Sequence, residues 1–211
     1  LDAKTYTING TLICGNQGLN SNSASPAAGQ VIVNSGGTLS TTNVNGLWDG
    51  STLNPTIRFN GTAMSAPSLN SNSTIDYNNA TGGQTVSALT YGNLKFSNTS
   101  GNNTLAGNAS AVTVDLGAST VTTNANTLSV TSNATGAVSR TTGYVIGNLN
   151  RAINTGTNSY AYAIGTSGGY TPATISLNGV TTGGSITAVT LNGVSANYPA
   201  TLSATDRLAR H

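Results

Sequence analysis

Short apolar runs separated by turn residues set the rhythm of the first two-thirds of this chain. Thr5–Ile8 stands before Asn9-Gly10, Gln30–Val33 before Asn34-Ser35-Gly36-Gly37, and residues 56–59 before Asn60-Gly61. Further runs occupy residues 73–77, 94–96, 112–114, 120–122 and 128–130. Each is too short for a helix and rich in β-branched side chains, so each predicts a strand. No window places apolar residues at i, i+3, i+4 and i+7 over three turns. Asn-Gly corners also suit two-residue hairpins, so local pattern alone leaves a meander and a solenoid both open.

An imperfect repeat favours the solenoid. A Thr-Leu pair after Gly or Asn recurs at Thr11-Leu12, Thr38-Leu39, Thr104-Leu105 and Thr127-Leu128. The first and last separations are 27 and 23 residues, and the middle gap of 66 has room for about three more units. A period of roughly 20 to 27 residues with several short strands fits the coils of a right-handed parallel β-helix. Inward Val, Ile and Leu would line its core, Gly and Asn would turn its corners, and Thr, Ser and Asn would face out. Residues 1–136 are assigned to this solenoid.

From about Ala137 the texture changes. Four of the eight Tyr fall between positions 144 and 170, and longer alternating runs occupy residues 144–146, 160–164, 173–177 and 185–191. Such alternation predicts half-buried antiparallel strands. Residues 137–211 are therefore read as a β-sandwich-like module, incomplete at its end, with Arg140 and Arg151 as a bracket to the solenoid. A cap has a physical purpose there, because an uncovered end coil exposes unpaired backbone groups.

Composition narrows the class further. Thr (35), Asn (28), Gly (26) and Ser (24) fill more than half of the 211 positions, whereas charged residues number 12 with no Glu. Scarce helix formers exclude a helical bundle. Disorder normally needs high charge or high Pro content, and here charge is 6% with five Pro. A net charge of +2 supplies no concentrated basic surface for nucleic acid. No apolar run approaches the roughly 20 residues of a membrane-spanning helix. The expectation is an all-β protein with a thin apolar core and a polar, uncharged surface. The absence of an initiator Met or signal sequence, with strand-like residues from position 5, reads as a segment of a much longer exported polypeptide.

Two stretches carry a resemblance. Residues 87–96, Ser-Ala-Leu-Thr-Tyr-Gly-Asn-Leu-Lys-Phe, followed by Asn103-Thr104-Leu105-Ala106-Gly107, resemble the "LTYGNLTLSG…KTLAG" passage of large repetitive Bacteroidetes surface proteins. Residues 143–151, then 160–165 and Tyr170-Thr171-Pro172-Ala173, resemble the "GYVxGNLxR…YTFPVG…YxPV" module that follows it in those proteins. The likeness is good over residues 75–211 and loose over 1–74. It departs at Tyr162, where the pattern has Phe, and at Ala163, where it has Pro. The resemblance implies export by the type IX secretion route, an extracellular or outer-surface location, and roles in coats, adhesion or gliding. Its motifs are structural, so it transfers no catalytic residue. The partners it suggests are other segments of the same long chain, secretion or outer-membrane surface components, or polysaccharide.

Candidate chemistry is sparse. A carbohydrate-active enzyme on a β-helix needs clustered carboxylates, or carboxylates holding Ca²⁺ beside a base. Asp2, Asp49, Asp76, Asp115 and Asp206 are scattered, with Asp49-Gly50 reading as a turn and Asp76 as an outward residue near a Lys or Arg. The single His is His211, so a Ser-His-Asp arrangement has no plausible base. Cys14, alone in an apolar run, reads as a buried small hydrophobe, leaving no metal site and no disulfide. No catalytic residue, metal or cofactor is expected. Trp48 could stack on a sugar ring, although a lone Trp beside a turn more often covers a core edge. Tyr160 and Tyr162 share one strand face, and are either core of the second module or a glycan-contact stripe. The leading expectation is a non-catalytic structural or adhesive segment. The alternative is a solenoid that binds polysaccharide through these aromatics, or ice through flat Thr and Asn rows such as Thr5-x-Thr7 and Thr120-x-Thr122.

Overall fold

The computed structural model describes residues 5–21, 29–50, 54–59 and 64–190. Every regular element among them is a strand. The first coil carries β1 (Thr5–Ile8), β2 (Thr11–Ile13) and β3 (Leu19–Ser21), and the second β4 (Gln30–Val33), β5 (Thr38–Thr41) and β6 (Ile57–Phe59). The third carries β7 (Ser68–Leu69), β8 (Thr74–Tyr77) and β9 (Thr85–Val86). The following coils carry β10 (Thr90–Phe96), β11 (Asn102–Leu105), β12 (Ala109–Asp115), β13 (Thr120–Val130), β14 (Val138–Ser139) and β15 (Tyr144–Ile153). The distal part holds β16 (Gly156–Tyr162), β17 (Ile164–Thr166), β18 (Gly169–Tyr170), β19 (Ala173–Val180) and β20 (Gly184–Val189).

The fold is a parallel β-solenoid of about seven turns followed by a mixed sheet region resembling a sandwich-like module. Consecutive strands do not pair as hairpins within the solenoid. Instead β2, β5, β8, β10, β12 and β14 stack in parallel, each one coil above the last. Their register aligns Leu12, Leu39, Ile75, Leu94, Val114 and Val138 into one inward column. Leu39, Ile75 and Leu94 are completely enclosed, and each such side chain contributes about 1.5–3 kcal/mol by leaving water. On the next position inward, Tyr77 stacks on Phe96 with ring centroids 5.8 Å apart. A second wall aligns Asn103, Val121, Val145 and Ile164, and a third aligns Ala109, Leu128 and Leu149.

The repeat is less regular than the Thr-Leu motif implies. Thr11 and Thr38 are true register partners, but the next equivalents are Thr74, Asn93 and Thr113. Thr104-Leu105 lies on a different wall, against Thr85-Val86, and Thr127-Leu128 on a third, against Asn148-Leu149. An outward hydroxyl followed by an inward aliphatic suits every wall of a solenoid, so the dipeptide marks strands without marking the period. The step between register partners is 36 residues from Thr38 to Thr74, against 19 from Thr74 to Asn93.

Corners confirm the role expected of Gly and Asn. Gly101 has φ +89°, and a Cβ there would lie 2.2 Å from the Thr81 carbonyl oxygen of the neighbouring coil. Asn124 is the one non-glycine residue with positive φ among those described, at 53°. It sits where the register of β13 against β15 shifts between Thr122 and Thr127, turning one strand onto two walls.

The parallel ladder passes position 137 without a break, since β13 pairs with β15 and β15 with β17 in parallel. Residues 144–146 thus belong to a parallel wall, where an antiparallel strand was expected. Antiparallel pairing starts with the second half of β15, which takes β20 as partner from Asn148↔Val189 to Ile153↔Gly184. β16 pairs with β19, and β17 with β18, also antiparallel.

Candidate functional site

The long second step is an excursion that places Trp48. Residues 44–47 are inserted between β6 and β9: Gly46 and Leu47 carbonyls accept from the Thr56 and Ile57 amides at 3.0 and 2.8 Å, and the Val44 carbonyl accepts from Thr85 at 2.8 Å. Gly46 has φ +80°, and a Cβ there would meet the Thr85 carbonyl at 1.9 Å, so no side chain fits. Leu47 points inward and is fully enclosed. Trp48 is therefore half-buried on the outer side and packs against the core edge. Its backbone N–H donates to Ser87 Oγ at 2.8 Å. A cleft of about 290 Å³ opens beside it, lined by Asn45, Trp48, Asp49, Thr85, Ala88 and Ala106. These residues come from three successive coils. Asn45, Thr85, Ala88 and Ala106 carried no signal in the sequence, because in so Asn-, Thr- and Ala-rich a chain nothing marks one corner from another.

Tyr160 and Tyr162 are completely enclosed, which corrects the glycan-stripe alternative for both: no ring face reaches the surface. Tyr160 OH donates to the Asn133 carbonyl at 3.1 Å and accepts from the Asn154 amide at 2.8 Å, while Tyr162 OH donates to the Ile186 carbonyl at 3.0 Å. They flank Arg151, whose guanidinium carbon lies 5.3 Å and 5.9 Å from the two ring centroids. Arg151 is itself completely enclosed. It donates to the Ala161 carbonyl at 2.6 Å and to those of Ala134 and Thr135 at 3.1 and 2.7 Å, so the expected bracket is a buried one. Desolvation pulls its pKa below the ordinary arginine value, with the two tyrosines opposing that shift. Arg140 donates to the Gly143 and Thr142 carbonyls and lies 3.7 Å over the Tyr170 ring.

Asp76 has the lysine neighbour expected of it, Lys95 Nζ at 3.7 Å, and alternates with the inward Ile75 and Tyr77 as expected, although its side chain is largely covered. Oδ2 accepts from Ser97 Oγ at 3.0 Å, and Oδ1 has no hydrogen-bond partner among the described residues. Burial pushes its pKa up, opposed by the Ser97 hydrogen bond and the Lys95 charge, with Asp115 adding to the rise. Register places Asp76, Lys95 and Asp115 in one column on consecutive coils, an alternation of charge with Lys95 between the two carboxylates. Asp115 Oδ1 also accepts from the Gly117 amide at 3.1 Å. Asp2, Asp206 and His211 lie outside the described residues.

A buried amide network was not foreseen. Gln84 Nε2 donates to the Thr41 and Asn43 carbonyls at 2.9 and 3.1 Å, and Gln84 N donates to Asn103 Oδ1 at 3.1 Å. Asn103 Nδ2 donates to Asn98 Oδ1, and Asn98 Nδ2 to the Asn79 carbonyl. These side chains satisfy corner backbone groups of consecutive coils from inside, as buried polar groups must. Cys14 is buried with its thiol pKa raised by desolvation, an inert packing residue. Among the described residues, His, Cys, Asp and Glu form no group of three that could hold a metal ion.

Outward columns are polar ladders. Thr113 Oγ1 donates to Asn93 Oδ1 at 2.7 Å, Ser110 Oγ to Thr90 Oγ1 at 3.1 Å, and both Thr120 and Thr122 hydroxyls to Asn102 Oδ1. The class these features define is an all-β solenoid scaffold with a polar, largely uncharged exterior. No family model, curated protein or solved structure matches the chain significantly.

Proposed function

We propose that this chain is a non-catalytic structural or adhesive segment of a large secreted or cell-surface bacterial protein, acting as stalk, coat or adhesion element. The observation that carries the reading is the continuous parallel stack whose outward positions are hydroxyl and amide ladders. Such ladders stiffen a rod without the self-repulsion of like charges repeated every ~4.8 Å. The carboxylates support it too: Asp76 and Asp115 are paired with Lys95 and a corner amide, which are structural uses. On this reading the partners are neighbouring segments of the same long chain, outer-surface or secretion components, or polysaccharide, at an extracellular location. The alternative of ice binding draws less support. The column beside Thr38, Thr74 and Asn93 contains Asp76, Lys95 and Asp115, where flat, uncharged hydroxyl rows would be needed.

The test has two arms. Antibodies raised against the segment should label intact source cells, and labelling only after permeabilisation would overturn the surface role. Purified protein should release no reducing sugar from surface polysaccharides. Release that disappears in Asp76→Asn or Asp115→Asn would overturn the non-catalytic role.

A further inference from the structure

We infer that Ser40, Thr42, Asp76 and Asn78 form a calcium site that clamps the second coil of the solenoid to the third. Two enclosed acceptors carry the inference. Asp76 is 8% exposed and its Oδ1 receives no hydrogen bond, and Oδ1 of Asn78 is likewise enclosed and without a donor. Folded proteins rarely leave buried acceptors unsatisfied, and two on one short stretch call for a positive partner. Both residues lie on the outward side of β8 and its continuation, where Ile75 and Tyr77 alternate inward. Register sets Ser40 beside Asp76, and the ladder runs on through the Asn78 amide to the Thr41 carbonyl at 3.0 Å, which sets Thr42 beside Asn78. The four side chains thus stand on two rungs about 4.8 Å apart, with about 6.6 Å between successive outward positions. Asp76 Oδ2 is turned toward the fourth coil, where it takes Ser97 Oγ at 3.0 Å and Lys95 Nζ lies at 3.7 Å. The enclosed Oδ1 is therefore turned the other way, toward the rung of Ser40 and Thr42.

The donor set selects the ion. It consists of one carboxylate, one amide carbonyl and two hydroxyls, all oxygen, which suits a hard cation. Among the described residues no three His, Cys, Asp or Glu come together, so neutral oxygens and water complete the shell. Oxygens spread over two rungs fit the longer bonds and flexible geometry of Ca²⁺ better than the tight octahedron of Mg²⁺. Charge points the same way. The outward column from Ser40 through Asp76 and Lys95 to Asp115 holds two carboxylates and one ammonium. Desolvation raises the Asp76 pKa despite Ser97 and Lys95, so negative charge there is under-compensated on the side that Lys95 does not face. The clamp falls where the solenoid is least repetitive. The step from Thr38 to Thr74 takes 36 residues, and an ion held by both rungs ties the two ends of that excursion together. This inference does not rest on the stalk reading. A solenoid at any location could hold the ion, and a stalk could lack the site.

The full chain is freed of divalent ions with a chelator and titrated with calcium chloride at constant ionic strength. Calorimetry reads binding and the thermal midpoint reads stability. With one carboxylate opposed by Lys95, the expected dissociation constant is on the order of 10⁻⁴–10⁻³ M, the range of extracellular calcium modules. The midpoint should rise by about 3–5 °C at roughly ten times that constant, and by no more than about a third as much in magnesium chloride. Asp76→Asn should abolish both responses. Asn78→Asp adds a second carboxylate ligand, so it should lower the midpoint without calcium and bind calcium about tenfold more tightly. Lys95→Met removes the opposing charge and should also tighten binding. If the Asn78 amide is turned instead to donate to Asp76, Asn78→Asp will be equally destabilised with and without calcium, and that result would overturn the inference. So would a wild-type midpoint unmoved up to about 20 mM calcium, some twenty times the weakest expected constant, or a calcium shift that survives Asp76→Asn. Surface labelling of cells is unaffected by any of these outcomes, so the two proposals fail separately.

Discussion

The solenoid and the distal strands close their interiors in different ways. In the solenoid, one aliphatic column is repeated coil after coil, with Leu39, Ile75, Leu94 and Val114 sealed by the rungs above and below. In the distal region the interior is Tyr160 and Tyr162 around a buried Arg151. Its outer strands β19 and β20 have no fully buried residue. Repetition lets aliphatic side chains build this column, because each is covered on both sides by its own equivalents, with Tyr77 and Phe96 stacked beside it. Among the described residues no further parallel coil follows β17. There Tyr160, Tyr162 and Arg151 cover apolar area while their polar tips bond the backbone carbonyls of Asn133, Ile186, Ala134, Thr135 and Ala161.

That contrast can be broken most sharply at Arg151. Arg151→Ala removes the donors of three carbonyls in two segments and should lower stability by about 3–5 kcal/mol, as the loss of a fully buried charged hydrogen-bonding group does. Urea denaturation measures the loss, and amide exchange should quicken around residues 134–135 and 161. A loss below about 1 kcal/mol would mean that the guanidinium is not the bolt of the distal region.

A paired comparison sharpens the difference in packing. Leu94→Ala in the sealed column should cost about 2–5 kcal/mol, because the rungs on either side prevent collapse into the cavity. Leu177→Ala in the half-buried β19 should cost less than about 1.5 kcal/mol, since much of that side chain is already in water. Equal losses would show that β19 is as well covered as the solenoid core.

The smallest effect is electrostatic and confined to the solenoid. The Asp76 pKa is raised in the folded protein, foremost by desolvation. The native state therefore holds its proton more tightly than the unfolded chain does. The sign follows: stability is greatest below the ordinary carboxylate range near 4 and declines as pH rises from there through the folded pKa. Asp76→Asn should flatten this decline, as read from denaturation midpoints across that range. A slope unchanged in Asp76→Asn would assign the pH dependence elsewhere.

Much of the architecture was legible because strands announce themselves locally. Gln30–Val33 was delimited from its β-branched run and the glycine turn after it, and Cys14 was placed inside from its apolar neighbours. The stack was inferred from a repeated dipeptide, yet two of its four copies lie on other walls. A strand's side-chain alternation says which residues face in, but it does not say which wall of a solenoid the strand belongs to. The site was legible only in part. Trp48 stood out as the lone tryptophan, while Tyr160 and Tyr162 stood out equally and turned out to be sealed.

Composition and pattern by themselves determined that the chain is all-β, that Gly and Asn turn its corners, and that its outer faces are polar and largely uncharged. These follow from φ/ψ preference and alternation, which act over a few residues. Tertiary structure alone decided the rest: the 36-residue step that folds Trp48 over Thr85, Ala88 and Ala106, the enclosure of Arg151 by two tyrosines, and the alignment of Asp76 with Lys95 and Asp115. They join positions from 9 residues apart (Arg151 and Tyr160) to 58 (Trp48 and Ala106), and their meeting depends on how many residues every intervening corner consumes. That count is set by how the coils pack on one another, so no local stretch of the chain records it.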